Sequence, residues 1–273
     1  MKNFIKVEIN CTSLEESEIF MAELSEINFY AFEQNENFLA SYIHEEDFDE
    51  TRLKQIVQKS SYKYSKLENK NWNEEWEQNF KPVTIGNFAA IRASFHKPVT
   101  DVEHEIIITP KMSFGTGHHA TTFLMIKLMT KINFEKKSVL DFGTGTGILA
   151  ILAEKCKASS VLAIDYDEWS INNAVENIGA NSCKNIIIEQ RDTIAGLSCV
   201  DIILANINFN VLQENVQNFS KLSIPGTLII VSGFLISDED NIVSIFTKNG
   251  FIKEQKMQKK NWIAMQFVYE TIF

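Results

Sequence analysis

Residues 138–167, SVLDFGTGTGILAILAEKCKASSVLAIDYD, place an apolar strand, a glycine turn, a helix, a second strand and an acidic end in one continuous run. The stretch 138–142 suits a buried parallel strand. Gly143, Gly145 and Gly147 then let the main chain turn sharply and come close to a ligand. From Thr146 the pattern becomes helical, with Ile148, Leu149, Ile151, Leu152 and Ala153 forming a broad apolar stripe, so the helix N-terminus points at the turn. A second strand over 161–164 ends in Asp165, about 20 positions after the first glycine. That is the spacing of a carboxylate that holds ribose hydroxyls.

The fine pattern decides which ribose-bearing ligand fits. A dinucleotide fingerprint, G-x-G-x-x-G/A, needs a third small residue for tight helix packing, and Ile148 stands there. The chain instead carries D-x-G-x-G-x-G. Asp141 at the strand end can orient the turn or receive a cationic amino group, but it repels a phosphate. S-adenosylmethionine, with an ammonium, a sulfonium and no phosphate, is therefore preferred over a dinucleotide, and over glycines that serve only a tight turn.

The 273 residues suffice for two modest domains that bury cores without staples. The balance of 26 basic against 36 acidic residues, a net charge of −10 and a pI near 5.1, weighs against strong sequence-independent nucleic-acid binding. It suits a basic partner, or serves solubility alone. Cys11, Cys156, Cys183 and Cys199 show neither zinc spacing nor a disulfide framework, so reduced thiols and a cytoplasmic location are expected. The N-terminus turns polar too soon for a secretory signal, and no apolar run approaches the roughly 18 residues of a membrane span.

Along the chain, residues 1–68 read as β-α-β-β-α-β, with strands over 4–9, 29–32, 38–43 and 62–67 and helices over 13–27 and 48–59. This predicts a small α+β ferredoxin-like domain, with Ser13 and Glu16 as a capping box. It holds no catalytic constellation, so it presents a face to a partner or serves as a stabilising appendage. Residues 69–103 read as a connector: a polar helix over 69–80 with Trp72 and Trp76 one turn apart for packing, then a strand over 82–92 and a polar turn near 97–103. A further strand is expected over 105–109. Residues 104–273 alternate strand and helix, with strands near 139–142, 161–165, 185–189, 200–205 and 227–232. A closing hairpin over 251–257 and 262–269 turns at 258–261. The expectation is α/β: a seven-stranded, doubly wound Rossmann-like domain with Gly143, Asp165 and Asn206 around one crevice at the reversal of strand order.

Two more motifs bear on that crevice. In KMSFGTGHHATT, residues 111–122, Gly115 and Gly117 make a flexible turn before a helix starting near His119, and the turn is placed to fold over a cofactor. In DIILAN, residues 201–206, an apolar strand delivers the Asn206 amide to the crevice. His118 and His119 point different ways and lack a carboxylate at ligand spacing, which favours loop structure over a metal site. Asp192 is either an acceptor for an adenine amino group or an exposed turn residue.

FGTGHHATT, VLDFGTGTGILAI, AIDYDEWSINNAVEN and LANI, in this order and at these separations, resemble the PrmA-type methyltransferases of ribosomal protein L11. The connector NWNEEWEQNFKPVTIG resembles that family too, so the likeness spans about residues 69–235, while the N-terminal domain agrees in architecture. The resemblance implies S-adenosylmethionine as cofactor. As substrate it implies the lysine and N-terminal amines of this ribosomal large-subunit stalk protein, held by the N-terminal domain. Carried onto matching positions, the family's cofactor contacts are Thr122, Gly143, Asp165 and Asn206, with Gly145 in the same turn. His119-Ala120 before the threonines and Asn208 after Asn-Ile depart from the family pattern. Asn206 is followed by Ile207 and not by the N-P-P-Y of enzymes that grip planar amides, which disfavours an RNA or small-molecule methyltransferase. A dinucleotide oxidoreductase or an inactive cofactor-binding module is the alternative of another class.

The implied reaction is an in-line displacement, in which holding nitrogen, methyl carbon and sulfur near a line accounts for about 7–11 kcal/mol of barrier. A protonated lysine, with a reference pKa of about 10.4, cannot attack. The site must desolvate the amine, set it beside the sulfonium, or supply a base. Asn206 is the candidate catalytic residue, orienting the amine; its other readings are a cofactor contact alone or a cap on the following helix.

Overall fold

Ile5, Val7 and Ile9 alternate with polar neighbours, and in the computed structural model they turn one face of β1 (Phe4–Asn10) into a hydrophobic core. Residues 4–34, 38–58, 60–67, 81–109 and 117–270 are described. The expected helix over 69–80 with Trp72 and Trp76, and residues 111–116 with Gly115, lie outside them. Contacts divide the chain into two compact units, Met1–Asn79 and Phe80–Phe273.

In the first unit, β1 is followed by α1 (Leu14–Ser25), β2 (Ala31–Gln34), β3 (Phe38–His44), α2 (Glu50–Val57) and β4 (Tyr62–Leu67). The strands form an antiparallel sheet in the order β2-β3-β1-β4. Phe20, Leu24, Leu53 and Val57 from the two helices close on Val7, Ile9, Leu39 and Ile43. Ser13 caps α1 by accepting from the Glu16 amide at 3.1 Å, but the returning Glu16 carboxylate takes the amide of Thr12 at 2.6 Å. The reciprocal half of the capping box thus slides back by one residue. Asp49 caps α2 through the Thr51 and Arg52 amides, which starts that helix two residues later than the apolar pattern suggests.

The second unit opens with a three-stranded sheet of β5 (Val83–Ile85), β6 (Ala89–Ala93) and β7 (His104–Ile108). The single strand expected over 82–92 is divided because Gly86, at φ +57°, reverses the chain into an antiparallel pair. β7 then adds parallel to β6. Arg92, almost wholly buried, grips the Glu105 carboxylate with two bonds of 2.7 and 3.0 Å, and this pairing holds the Glu105 carboxyl below its ordinary range.

The main sheet comprises β8 (Ser138–Phe142), β9 (Ser160–Asp165), β10 (Ile186–Gln190), β11 (Ile202–Asn206), β12 (Leu228–Leu235), β13 (Phe251–Lys259) and β14 (Trp262–Tyr269). Its order is β10-β9-β8-β11-β12-β14-β13. The first five strands are parallel and β14 runs antiparallel to both neighbours, so the seven-stranded sheet is mixed. Alternate residues feed two cores. Val139, Ile202 and Leu204 pack with α3 (Ala120–Met129) and α4 (Ile148–Lys155), while Leu140, Ile203 and Ala205 pack with α6 (Phe209–Lys221) and α7 (Glu239–Lys248). Helices therefore cover both faces. A further helix, α5 (Glu168–Ala180), presents Asn177 in its last turn and is followed by Asn181 as its C-cap. Asn181 exchanges two bonds with the main chain of Ile107 (3.0 and 2.6 Å), and buried Asn177 accepts from the Thr109 amide (2.7 Å) and donates to the Thr146 carbonyl (2.8 Å). The small sheet and the glycine turn are thereby tied to one helix. Among the described residues no helix is long and apolar enough to cross a membrane.

Asn177→Ala strips partners from two main-chain groups at once and is expected to lower unfolding stability by about 2–4 kcal/mol. Urea denaturation of wild type and variant checks this, and equal midpoints would refute the tie.

Candidate active site

Strand order reverses between β8 and β11, and a cavity of about 630 Å³ opens beside their carboxyl ends. That volume is within the range of small-molecule sites. Gly143 and Gly145 from the turn, Asp165 from β9 and Asn206 from β11 all line it. The turn is stitched to the end of β9. The amides of Gly143 and Thr144 both donate to the Ile164 carbonyl at 2.9 Å, and the Gly145 amide donates to Asp165 Oδ2 at 2.9 Å. Asp165 Oδ1 accepts from the Asp167 amide at 3.1 Å.

Glycine is required at position 143 for two reasons. Its φ is +74°, and an added Cβ would lie 2.5 Å from Ile207 Cγ2. Beneath the turn, Asp141 is completely buried and is not part of the cavity wall. Its Oδ2 accepts from the Thr144 hydroxyl at 2.6 Å and from the Ala150 amide at 3.1 Å, while Oδ1 is buried without a partner among the described residues. Of the two uses the sequence leaves open for Asp141, the geometry is that of orienting the turn. Burial pushes its carboxyl up to about 7, the nearby charge of Asp165 pushes the same way, and the Thr144 and Ala150 bonds oppose them.

Asn206 and Thr122, distant in sequence, meet at 3.4 Å, the Asn206 amide donating to the Thr122 hydroxyl. Thr122 is fully buried and does not line the cavity, whereas Asn206, which its hydroxyl meets, does. The Asn206 Oδ1 atom is buried with no partner among the described residues. Capping of the next helix falls to Asn208, which accepts from the Val211 amide at 3.0 Å. Asp192 lines the cavity as well. The two histidines serve the loop and the helix start: His118 Nε2 lies 2.9 Å from the Lys81 carbonyl, and His119 Nδ1 takes the Thr121 amide at the head of α3. The His119 ring meets Trp262 edge-on at 4.8 Å, and burial lowers its pKa. Among the described residues no three His, Cys, Asp or Glu side chains are grouped to hold a metal ion.

Several wall residues escaped the sequence, Trp262 and Gly233 among them. Trp262, from the final hairpin, gave no local signal. Gly233 did, as a glycine inside the strand pattern of VSGFL, the usual mark of a bulge or of close main-chain approach. The register of β12 against β14 shifts there, between Ser232 and Phe234.

A mixed seven-stranded sheet in this order, with its cavity at the reversal beside a D-x-G-x-G-x-G turn, is the α/β fold of the S-adenosylmethionine-dependent methyltransferases. The family profile of ribosomal protein L11 methyltransferase (PrmA) matches residues 4–270, and the chain belongs to that family. Curated relatives include the ribosomal protein L11 methyltransferase of Phocaeicola vulgatus, 39% identical over 262 residues that cover 92% of this chain and 93% of the relative. The protein of the same name from Bacteroides thetaiotaomicron is 38% identical over 263 residues, covering 93% and 94%. Among solved structures, a ribosomal protein L11 methylase from Lactobacillus delbrueckii subsp. bulgaricus superposes with a TM-score of 0.66 at 27% identity, covering 70% of this chain and all of that one.

Because the folded Asp141 carboxyl titrates above its unfolded value of 3.8, its contribution to stability is fully present below pH 4 and is lost as pH rises through about 7. Over that window the unfolding free energy of Asp141→Asn should decline less with pH than that of wild type, by up to about 1.4 kcal/mol per pH unit. Urea titrations at several pH values measure the two slopes, and identical slopes would refute the assignment.

Proposed function

We propose that this protein transfers methyl groups from S-adenosylmethionine to lysine and N-terminal amino groups of ribosomal protein L11, with Asp165, Gly143, Gly145, Thr122 and Asn206 forming the cofactor and transfer site. The observation that carries the reading is the convergence on one cavity of a glycine turn, a carboxylate at the end of the second strand and the Asn206 amide, whose buried oxygen has no partner among the described residues. Such a wall suits a cationic nucleoside: Asp165, Asp167 and Asp192 line it, and its Arg191 is paired with Glu189 at 3.2 Å. When bound, the cofactor supplies an electrophilic methyl group on a sulfonium centre.

The chain's own residues do the rest. Asp165 accepts from ribose hydroxyls while its grip on the Gly145 amide keeps the turn in place. Thr122 holds the Asn206 amide through its NH₂ group, and the buried Oδ1, without a partner among the described residues, keeps its acceptor capacity for the attacking amine. Burial in the cleft lowers the amine's pKa and so yields the neutral form that attacks.

The recognition role is assigned to residues 1–68. Four antiparallel strands in the order β4-β1-β3-β2 with two helices on one side support a ferredoxin-like domain, whose part is to hold the substrate protein. The net charge of −10 suits a basic protein partner better than RNA, and a cytoplasmic location follows from a ribosomal substrate.

Incubation with L11 and S-adenosylmethionine should raise the mass of L11 in multiples of a methylene, read by mass spectrometry; an unchanged mass overturns the substrate. By calorimetry, Asp165→Ala should weaken cofactor binding about 10–100-fold. Asn206→Ala should keep cofactor affinity within about threefold while kcat falls roughly 100-fold. A wild-type rate in Asn206→Ala removes its role in orienting the amine.

A further inference from the structure

Two glycines, Gly143 from the turn after β8 and Gly233 from β12, close on one residue next to Asn206. On one side, the place where a Gly143 Cβ would stand is filled by Ile207 Cγ2, 2.5 Å away. On the other, Gly233 at φ +103° sits so close beneath the main chain of Ile207 that a Cβ would lie 2.1 Å from its carbonyl oxygen, 2.6 Å from its carbonyl carbon and 3.0 Å from its nitrogen. The Ile207 amide also donates to the Ser232 carbonyl at 3.0 Å. The register shift between Ser232 and Phe234 is what brings Gly233 into this position.

We propose that Gly233 is a positioning residue for methyl transfer: with Gly143 it grips Ile207, and the grip fixes where the Asn206 amide stands in the cavity. The inference rests on the function proposed above. The two contacts differ in kind. Gly143 meets a side-chain methyl group, which can turn or be removed, whereas Gly233 meets peptide atoms that no side-chain change relieves. A side chain at 233 must push the Ile207 peptide away, and Asn206, its immediate neighbour, moves with it. Displacement of a positioning group by about 1 Å costs about 100-fold in rate even when the chemical groups are intact. Asp165 and the Gly145 amide, on the far side of the turn from β12 in the strand order, keep their own bond, so the ribose contact is spared.

The test uses the full-length enzyme. Gly233→Ala should bind S-adenosylmethionine within about threefold of wild type by calorimetry and keep its KM for L11, while kcat falls about 100-fold. A purely structural role would instead lower the active fraction and leave the turnover of folded enzyme unchanged. A folded Gly233→Ala protein with wild-type kcat overturns the proposal. A thermal cycle without cofactor or substrate covers the case in which that variant does not fold. Gly143→Ala should lower Tm, and adding Ile207→Ala should recover part of the loss, although Ile207→Ala alone lowers Tm. Simple addition of the two losses would mean that nothing is gripped, and the proposal falls. The cycle judges the grip even if wild-type enzyme binds cofactor and leaves L11 unmodified, a result that overturns the proposed function and with it the claim on rate.

Discussion

Three successive amides of the glycine turn, those of Gly143, Thr144 and Gly145, are all taken by acceptors at the end of β9: two by the Ile164 carbonyl and one by the Asp165 carboxylate. Everything at the cleft follows from that capture. It joins two neighbouring strand ends where the sheet reverses its order, sets the direction in which α4 leaves the turn, and makes Asp165 a structural acceptor as well as a wall of the cavity. Beneath it, Asp141 holds Thr144 and the start of α4 from a fully buried position. A carboxylate is costly to bury with one oxygen unpaired, and this one answers by holding its proton more tightly.

The second support comes from outside the central βαβ unit. Asn177 reaches the Thr146 carbonyl from α5 and also takes the Thr109 amide beyond β7, so the turn is braced from the helix that follows β9. Thr122 braces Asn206 from α3. The cleft is therefore built from strand ends, with Asp165, Asn177 and Asn206 each held by a partner on a different element, an arrangement that keeps geometry fixed without crowding the cavity.

Much of this was written in local pattern. The glycine turn, the acid at the end of the second strand and all seven strands of the main sheet have periodicities or spacings that depend on nearby residues alone, and they are legible for that reason. Local chemistry also misled in small ways. Apolar continuity over 82–92 hides a chain reversal that Gly86 permits, and Glu16 returns to Thr12 when a capping box would send it to Ser13. What the sequence could not disclose was contact at a distance. Nothing near Thr122 says that its hydroxyl will meet Asn206, nothing near Trp262 says that it will wall a cavity, and the glycine at 233 announces a close approach without naming Ile207 as the neighbour.

The closing hairpin bears on how the molecule behaves in a crowd. Among the described residues β13 forms one margin of the main sheet, paired with β14 alone, and a margin with free peptide groups is a template for another chain. Lys253, Lys256 and Lys259 are spaced along it, the first two tethered by Glu239 at 2.7 and 2.8 Å and the third lying over the Phe123 ring at 3.6 Å. Any strand from a second molecule that sought to extend the sheet would have to strip water from these ammonium groups and tear their tethers loose, so self-association along this border is discouraged while the border itself stays open.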